Sequence, residues 1–299
     1  MGRARSPRPT APPVRDALVF GGSGQVGAAL IAQLAGAGWR VSAVSRTEQA
    51  ERPGVQWLRG DLHHVDGLPA AVSAIFSCGP LDHFARWYAA AAIDATRVVA
   101  FGSTSIDIKK ESADALERDV AARLAAGEQL VFTAAESRGA GATVLRPTLV
   151  YGVGRDQTLT RIAGFARRNR FFILPRHARG LRQPVHVDDL ATAALLACDA
   201  PATSARAYAV PGGETLSYRD MVLRVLAALQ PTPRLIEVPA PLFRVVLATA
   251  HACGQAIGFG DAALARLQQD LVFDSGPAQR DFGYRPRAFR PTADMFVPR

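Results

Sequence analysis

The chain has 299 residues, of which 48% are hydrophobic and 20% charged. That balance excludes a disordered or fibrous polypeptide and fits a cored α/β domain with an appended lobe. A formal charge of +9 favours anionic ligands, but all the basic residues except Lys109 and Lys110 are arginines scattered without interleaved aromatics, a pattern that argues against a nucleic-acid-binding surface.

Residues 1–14 are rich in proline and arginine and lack an apolar core. They read as a disordered tail and not as a secretory signal. At Ala17–Phe20 an apolar strand begins. It runs into Gly21-Gly22-Ser23-Gly24-Gln25-Val26-Gly27 and then into the helical stretch Ala28–Leu34. Glycines at this spacing, between a strand and a helix, let a backbone approach a pyrophosphate closely. The helix start then offers unpaired N–H groups and the positive end of its dipole.

Trp39–Ser45 reads as a second strand and Val55–Arg59 as a third, followed by Gly60-Asp61-Leu62. Ala71–Cys78 leads into a fourth, closed by Gly79-Pro80. Leu81–Ala95 reads as helix, and Arg97–Gly102 as a fifth strand ending at Ser103-Thr104-Ser105. A long helix over about 113–138 precedes a sixth strand, Ala142–Leu145, stopped by Arg146-Pro147. Strands alternating with helices predict an α/β fold, a doubly wound parallel Rossmann sheet with helices on both faces.

Beyond Tyr151 the pattern loosens. Helices are expected near 159–170, 187–200, 217–229 and 241–257, with short strands near 207–210 and 234–238. This reads as a smaller C-terminal α/β substrate lobe. The expected division is a tail at 1–14, a dinucleotide-binding domain at 15–150 and a mixed lobe at 151–299, interleaved with the Rossmann domain. The apolar run from Pro241 to Gly260 is broken by Arg244, His251 and Gln255, so no membrane span is expected. Cys78, Cys198 and Cys253 have neither metal-ligand spacing nor an even count, which points to a reducing, cytoplasmic setting and to no metal site.

Five ordered motifs carry a family resemblance: the loop Gly21–Gly27, Gly60-Asp61-Leu62, Phe101-Gly102-Ser103-Thr104-Ser105, Leu145-Arg146-Pro147-Thr148-Leu149-Val150-Tyr151-Gly152, and Arg182-Gln183-Pro184-Val185-His186-Val187-Asp188-Asp189-Leu190. In their order and spacing the chain resembles the extended and atypical branch of the short-chain dehydrogenase/reductases, which includes NAD-dependent epimerases and dehydratases. The resemblance implies that Asp61 and Leu62 border the adenine, Cys78-Gly79-Pro80 wraps the cofactor's middle, and Pro147 borders the nicotinamide. It also implies that Ser103 and Thr104 serve catalysis, and that Ser105, Tyr151 and Arg182 meet the substrate, Arg182 through a diphosphate. Arg155 can line the same crevice. Asp61 reads equally as a turn acid, Ser103–Ser105 as turn caps, and His186 as a packed strand-end histidine.

The residue after the second strand decides the ribose chemistry. A carboxylate there suits the 2′-hydroxyl of NAD, whereas an arginine suits the 2′-phosphate of NADP. Ser45-Arg46-Thr47 supplies a guanidinium between two hydroxyls and no acid before Glu48, which points to NADP, with NAD the alternative. Redox members of the family use a tyrosine and a lysine four residues later, the lysine lowering the phenol pKa. Here Val120 and Leu124 occupy those positions. The sequence therefore leaves two functions open. One is an oxidoreductase or epimerase on a sugar nucleotide or related phosphorylated small molecule, with a replaced acid–base group. The other is an inactive NADPH-binding sensor or accessory subunit. The oligomeric state stays open.

Overall fold

The structure is a computed structural model that describes residues 14–243 and 266–297. The first part runs β1 (Asp16–Phe20), α1 (Gln25–Gly36), β2 (Arg40–Ser45), β3 (Val55–Arg59), β4 (Ala71–Ser77), α2 (Leu81–Ala90), β5 (Asp94–Phe101), α3 (Ser105–Lys109), α4 (Ala115–Glu136) and β6 (Gly141–Pro147). Then come β7 (Val150–Tyr151), α5 (Leu159–Asn169), β8 (Phe171–Pro175), β9 (Leu181–Arg182), β10 (Val185–His186), α6 (Val187–Asp199), β11 (Arg206–Val210), β12 (Leu216–Ser217), α7 (Tyr218–Ala227), β13 (Arg234–Val238) and α8 (Gly276–Phe282).

Seven strands pair in parallel in the order β11-β6-β5-β4-β1-β2-β3. Leu18 and Val19 in β1, Ala74–Phe76 in β4 and Val98–Ala100 in β5 are solvent-free. Continuous apolar runs of this kind belong to parallel strands covered on both faces. One face buries Leu30, Ile31 and Leu34 of α1 with Leu190, Ala194 and Ala197 of α6. The other buries Leu81, Phe84 and Tyr88 of α2 with Val131 and Ala135 of α4. Because the chain starts at β1, moves outward to β3 and then crosses to β4, the strand order reverses between β1 and β4. At such a switch point a crevice opens at the strands' carboxyl ends. A separate core of Leu159, Ile162, Phe172, Met221, Val225 and Phe289 holds the smaller sheet β8–β13 against α5 and α7.

Several sequence expectations shift. The helix expected to Ala95 stops at Ala90, and β5 starts at Asp94, because the Asp94 N–H donates to the Ala70 carbonyl (3.0 Å) and Asp94 registers against Ala71. Strand pairing overrides the helix propensity of the alanine run. The segment at 207–210, assigned to the lobe, is the seventh strand of the central sheet. Strand β8 was not foreseen. It forms because Phe171–Pro175 finds a parallel partner in Arg234–Val238, and short apolar runs do not reveal their partners. Most of the helix expected at 241–257 and nearly all of the tail lie outside the described residues, but Arg15, placed at the tail's edge, packs over Trp39 (3.8 Å) and pairs with Asp199 (2.6 Å). Among the described residues no helix is long and apolar enough to cross a membrane.

Helix α6 fixes α1, and so the loop before it. Gln33 Nε2 donates to the Asp188 carbonyl (3.0 Å), and the Thr192 hydroxyl donates to Gln33 Oε1 (3.1 Å). Both ends of α6 are secured by side chains. His186 Nδ1 accepts from the Asp188 N–H (3.2 Å) and so caps the start. At the other end the Arg97 guanidinium donates to the carbonyls of Ala197 (2.7 Å), Cys198 (3.0 Å) and Ala200 (3.2 Å). It also donates to the hydroxyls of Thr203 and Ser204, both at 2.6 Å. A cation on the last carbonyls of a helix satisfies orphan acceptors and complements the dipole.

Two outcomes follow for stability. Arg97→Ala should lower the free energy of unfolding by about 2–4 kcal/mol in urea titration, since several charge-assisted hydrogen bonds are lost together; a loss below about 0.5 kcal/mol, the level of an ordinary surface change, would contradict this role. Burial holds the His186 imidazole below its ordinary value of 6.5, with Arg287 in the same direction and the Asp188 and Asp189 carboxylates opposing. Below that value the unfolded chain binds more protons than the folded one, so acidification costs stability. His186→Asn keeps a capping oxygen but removes the titration. The stability advantage of the native chain over this variant should shrink between about pH 7 and about pH 5, and parallel curves would contradict the assignment.

Candidate functional site

The loop after β1 is built for close approach. Gly21 has φ +71°, and a Cβ there would lie 3.0 Å from the Cys78 carbonyl carbon and 3.1 Å from the Gly79 nitrogen. A Cβ on Gly27 would fall 2.1 Å from the Gly21 carbonyl oxygen, so α1 can start against the loop only with glycine at this position. The Gly24 N–H closes the turn on Gly21 O at 2.9 Å. Helix α1 has no side-chain cap and no acidic residue in its first turn. The N–H groups of Gln25, Val26 and Gly27 find no acceptor among the described residues, and the buried Gln25 Oε1 is likewise unpartnered. Unpaired donors at a dipole's positive end, beneath a glycine surface without side chains, fit a pyrophosphate.

Beside this cradle lies the end of β2. The buried Ser45 hydroxyl sits 2.8 Å from the Thr47 carbonyl and 3.3 Å from Ser23 Oγ. Arg46 and Thr47 are exposed next to it. Asp61 uses Oδ1 to accept from the N–H groups of His63 (2.8 Å) and His64 (3.2 Å). These bonds, with the field of His63 and Arg46, hold its carboxyl below the usual range. The turn-acid reading of Asp61 therefore holds, with Oδ2 left over. Leu62 packs on the core beneath α2 and faces Gly79, where a Cβ would lie 3.6 Å from it. Pro80 starts α2 and is exposed. Burial pushes the Cys78 thiol up to about 12, which makes it a packing group and not a nucleophile.

At the end of β5 the hydroxyls are largely structural. The Thr104 Oγ1 donates to the Pro147 carbonyl at 3.1 Å and its N–H meets the same oxygen at 3.3 Å, which ties β5 to β6. Thr104 is only 4% exposed. Here its single hydroxyl proton is given to the main chain. Ser103 Oγ accepts from the Ser105 N–H (3.1 Å); its own proton is not donated to any described residue, and the Ser105 hydroxyl has no described partner. Pro147 ends β6 as expected.

Val120 and Leu124 lie half-buried on α4, Leu124 against the core, and neither can transfer a proton. One turn further along, Glu128 is buried and receives both arms of Arg146, at 2.8 and 2.5 Å. Its Oε1 lies 3.1 Å from where a Gly102 Cβ would sit. Arg146 also approaches Asp107 (3.6 Å), and these carboxylates hold the guanidinium more firmly charged. This pair was missed in the sequence. Its signal was an acid on the inward face of α4 and an arginine directly before Pro147.

Two expected substrate residues are elsewhere engaged. Tyr151 is 1% exposed, edge-on to His186 and Phe289, and burial raises its phenol to about 12. It packs in the core of the lobe, on the strand β7 that pairs with β10. Arg182 is 6% exposed and lies over Tyr218. It donates to the carbonyls of Leu181 (2.7 Å), Gln269 (2.8 Å) and Arg266, and so ties β9 to the segment after residue 265. Its donors meet main-chain oxygens where a diphosphate contact was expected. Asp189, in the first turn of α6, accepts from the Arg287 side chain (2.8 Å) and main-chain N–H (3.0 Å). Lys109 approaches Glu117 (3.9 Å), and Asp119–Arg123 is an exposed helical pair (2.9 Å). Arg155 reaches from the lobe to the Ser23 carbonyl at 2.5 Å. No group of His, Cys, Asp and Glu among the described residues could hold a metal ion.

Residues 17–97 and 89–210 match the model of the NAD dependent epimerase/dehydratase family. A 2-alkyl-3-oxoalkanoate reductase of Stenotrophomonas maltophilia (strain K279a) is 28% identical over 90% of this chain and 94% of its own. Among solved structures, MoeE5 in complex with UDP-glucose and NAD aligns with a TM-score of 0.65 and 19% identity, over 92% of this chain and 94% of that one. The UDP-glucuronic acid 4-epimerase of Bacillus cereus in complex with NAD aligns at 0.67 and 12%, over 94% of each chain. The two structures share the fold, and the family match spans well over half of the sequence: the chain belongs to the NAD-dependent epimerase/dehydratase family.

Proposed function

We propose that this protein binds NADP(H) in the crevice at the carboxyl ends of β1, β2 and β4, and exchanges hydride with an oxo group on a small anionic substrate. The observation that carries the reading is the corner formed by Ser23, Ser45 and Arg46 beside a vacant row of N–H donors, with no carboxylate at the end of β2. A guanidinium between hydroxyls matches a phosphate monoester, whereas a ribose diol calls for an acid. The free thiols of Cys78 and Cys198 support a reducing, cytoplasmic setting.

Bound nicotinamide would supply the hydride. Gln25, Val26 and Gly27 would hold the pyrophosphate through their N–H groups. The Ser103 hydroxyl, placed at the end of β5, can give a hydrogen bond to a substrate oxygen. It cannot replace a tyrosine–lysine pair, because an alcohol without a base is too weak an acid to release its proton near neutral pH. The proton would therefore come from water. The occupied donors of Arg182 weigh against a diphosphate anchor, and the oxoalkanoate reductase relative supports an oxo acid over a sugar nucleotide. A second reading, an NADPH sensor without turnover, is favoured specifically by Val120 and Leu124.

Fluorescence titration with NADPH and NADH tests the cofactor. Arg46→Asp should weaken NADPH at least tenfold, about 1.4 kcal/mol, with NADH affinity equal or higher; unchanged NADPH affinity would refute the assignment. Incubating the NADPH complex with 3-oxo acids and with UDP-sugars then separates the two readings. Oxidation of the nicotinamide by an oxo acid supports the reductase, and tight NADPH binding without turnover supports the sensor.

A further inference from the structure

Beyond the carboxyl end of β5 a second group of charges gathers, away from the glycine loop. Helix α3 follows Ser103-Thr104 directly, and Ser105 and Lys109, four residues apart, share one of its faces. The Lys109 ammonium lies 3.9 Å from Glu117 Oε1, in the first turn of α4. That is ion-pair range but beyond a hydrogen bond, so the three ammonium donors have no acceptor among the described residues. Arg266, 149 residues further along the chain, donates to the same Glu117 oxygen through Nη1. Its other guanidinium nitrogens bond to no described residue. The second Glu117 oxygen accepts from the Ser112 hydroxyl at 2.8 Å. The side chains of Lys109 and Arg266 are only 26% and 29% exposed. Two half-buried cations therefore share one carboxylate oxygen, and most of their donors are unspent. The lobe sets the position of Arg266: Arg182 donates to its carbonyl, and the Gly180 N–H donates to the Leu267 carbonyl at 2.9 Å. Lys109 belongs to the Rossmann half, so the pair spans the two parts of the fold.

We propose that Lys109 and Arg266 form the anion subsite for the substrate, taking the carboxylate of an oxo acid beside the end of β5, with Glu117 as the internal anion that gathers the two cations there. The proposal rests on the reading above of a small anionic substrate and deepens it. A carboxylate offers two oxygens, which match the open arm of a guanidinium and an ammonium beside it. Glu117 cannot do this alone, because one of its oxygens is spent on Ser112 and its single charge leaves the pair of cations with a net positive charge. The substrate carboxylate would take the unspent donors and compete with Glu117 for the rest. Since one cation comes from α3 and the other from the lobe, the bound acid would tie the lobe to the Rossmann half, which a neutral ketone would not do.

The test is an NMR titration of the full chain, with NADPH present, against hexanoate and against neutral hexanamide. Neither probe has an oxo group to reduce, so binding is read without turnover. Hexanoate should bind at least about fivefold more tightly than hexanamide, and Lys109→Met and Arg266→Gln should each weaken it about five- to tenfold while leaving hexanamide unchanged. Glu117→Gln removes the competing anion and should tighten hexanoate about threefold, an effect that a purely structural ion pair would not give. NADPH affinity, measured separately, should stay within about twofold in all three variants, because the cradle is elsewhere. If Arg266→Gln fails to fold, Arg266→Lys keeps the charge and Lys109→Met carries the comparison. Equal affinity for hexanoate and hexanamide, or hexanoate affinity unchanged in Lys109→Met and Arg266→Gln, would overturn the proposal. Weakening by Glu117→Gln as large as that of the cation variants would overturn it in favour of a structural latch. If the unaltered chain does not bind NADPH, the reading above fails and this inference with it. If it oxidises NADPH with a 3-oxo acid while hexanoate ignores Lys109 and Arg266, only the subsite fails.

Discussion

The site depends on one contact between backbone atoms. Helix α1 begins so close to the preceding turn that a Cβ on Gly27 would lie 2.1 Å from the Gly21 carbonyl. That distance is far inside any van der Waals contact, so the helix axis, the turn and the end of β4 can share their positions only while Gly21 and Gly27 lack side chains. The same approach aims the first N–H groups of α1 into the crevice. Helix α6 then fixes α1 from behind through Gln33, and α6 is itself fixed by His186 at one end and Arg97 at the other. The cradle is thus rigid for reasons that lie well outside it.

The chemistry around the cradle divides cleanly. The edge at the glycine loop keeps the unpaired N–H donors of Gln25, Val26 and Gly27, with the exposed Arg46 following β2. At the ends of β5 and β6 and in the lobe most candidate groups are bound up in structure: Thr104 joins two strand ends, Tyr151 fills the lobe core, and Arg182 pins a loop. The buried Arg146–Glu128 pair occupies the ground between α4 and β6. A bidentate pair of this kind gives little net stability over apolar packing, yet removing Arg146 would leave the buried Glu128 carboxylate without its partner. The glycine loop is therefore intact in the architecture, while α4 carries the aliphatic Val120 and Leu124 two turns and one turn before Glu128.

Much of this was legible in the sequence, for physical reasons. Strands β1, β4 and β5 announced themselves as apolar runs because parallel strands are buried on both faces. The glycine loop was legible because its spacing has a steric cause. The helix that gave way to β5 at Asp94, and the unforeseen β8, were not legible, because both are decided by a distant pairing partner. Site residues follow the same division. Gly21–Gly27 and Arg46 owe their positions to local backbone geometry and sequence order, so their place at the ends of β1 and β2 could be read in advance. Tyr151 and Arg182 sit in recognisable motifs, but their surroundings come from Phe289 and from residues 266–269, far along the chain. Motif position fixes where a side chain starts and not what it meets.

Amide hydrogen exchange on the cradle tests the central claim most directly. Without ligand, the N–H groups of Gln25, Val26 and Gly27 have no acceptor and should exchange fast. Saturating NADPH should protect these three amides strongly, with weaker protection at Ser45–Thr47 and no comparable change in β8 or β13. Absence of protection at Gln25–Gly27, with NADPH demonstrably bound, would place the dinucleotide elsewhere and contradict the account.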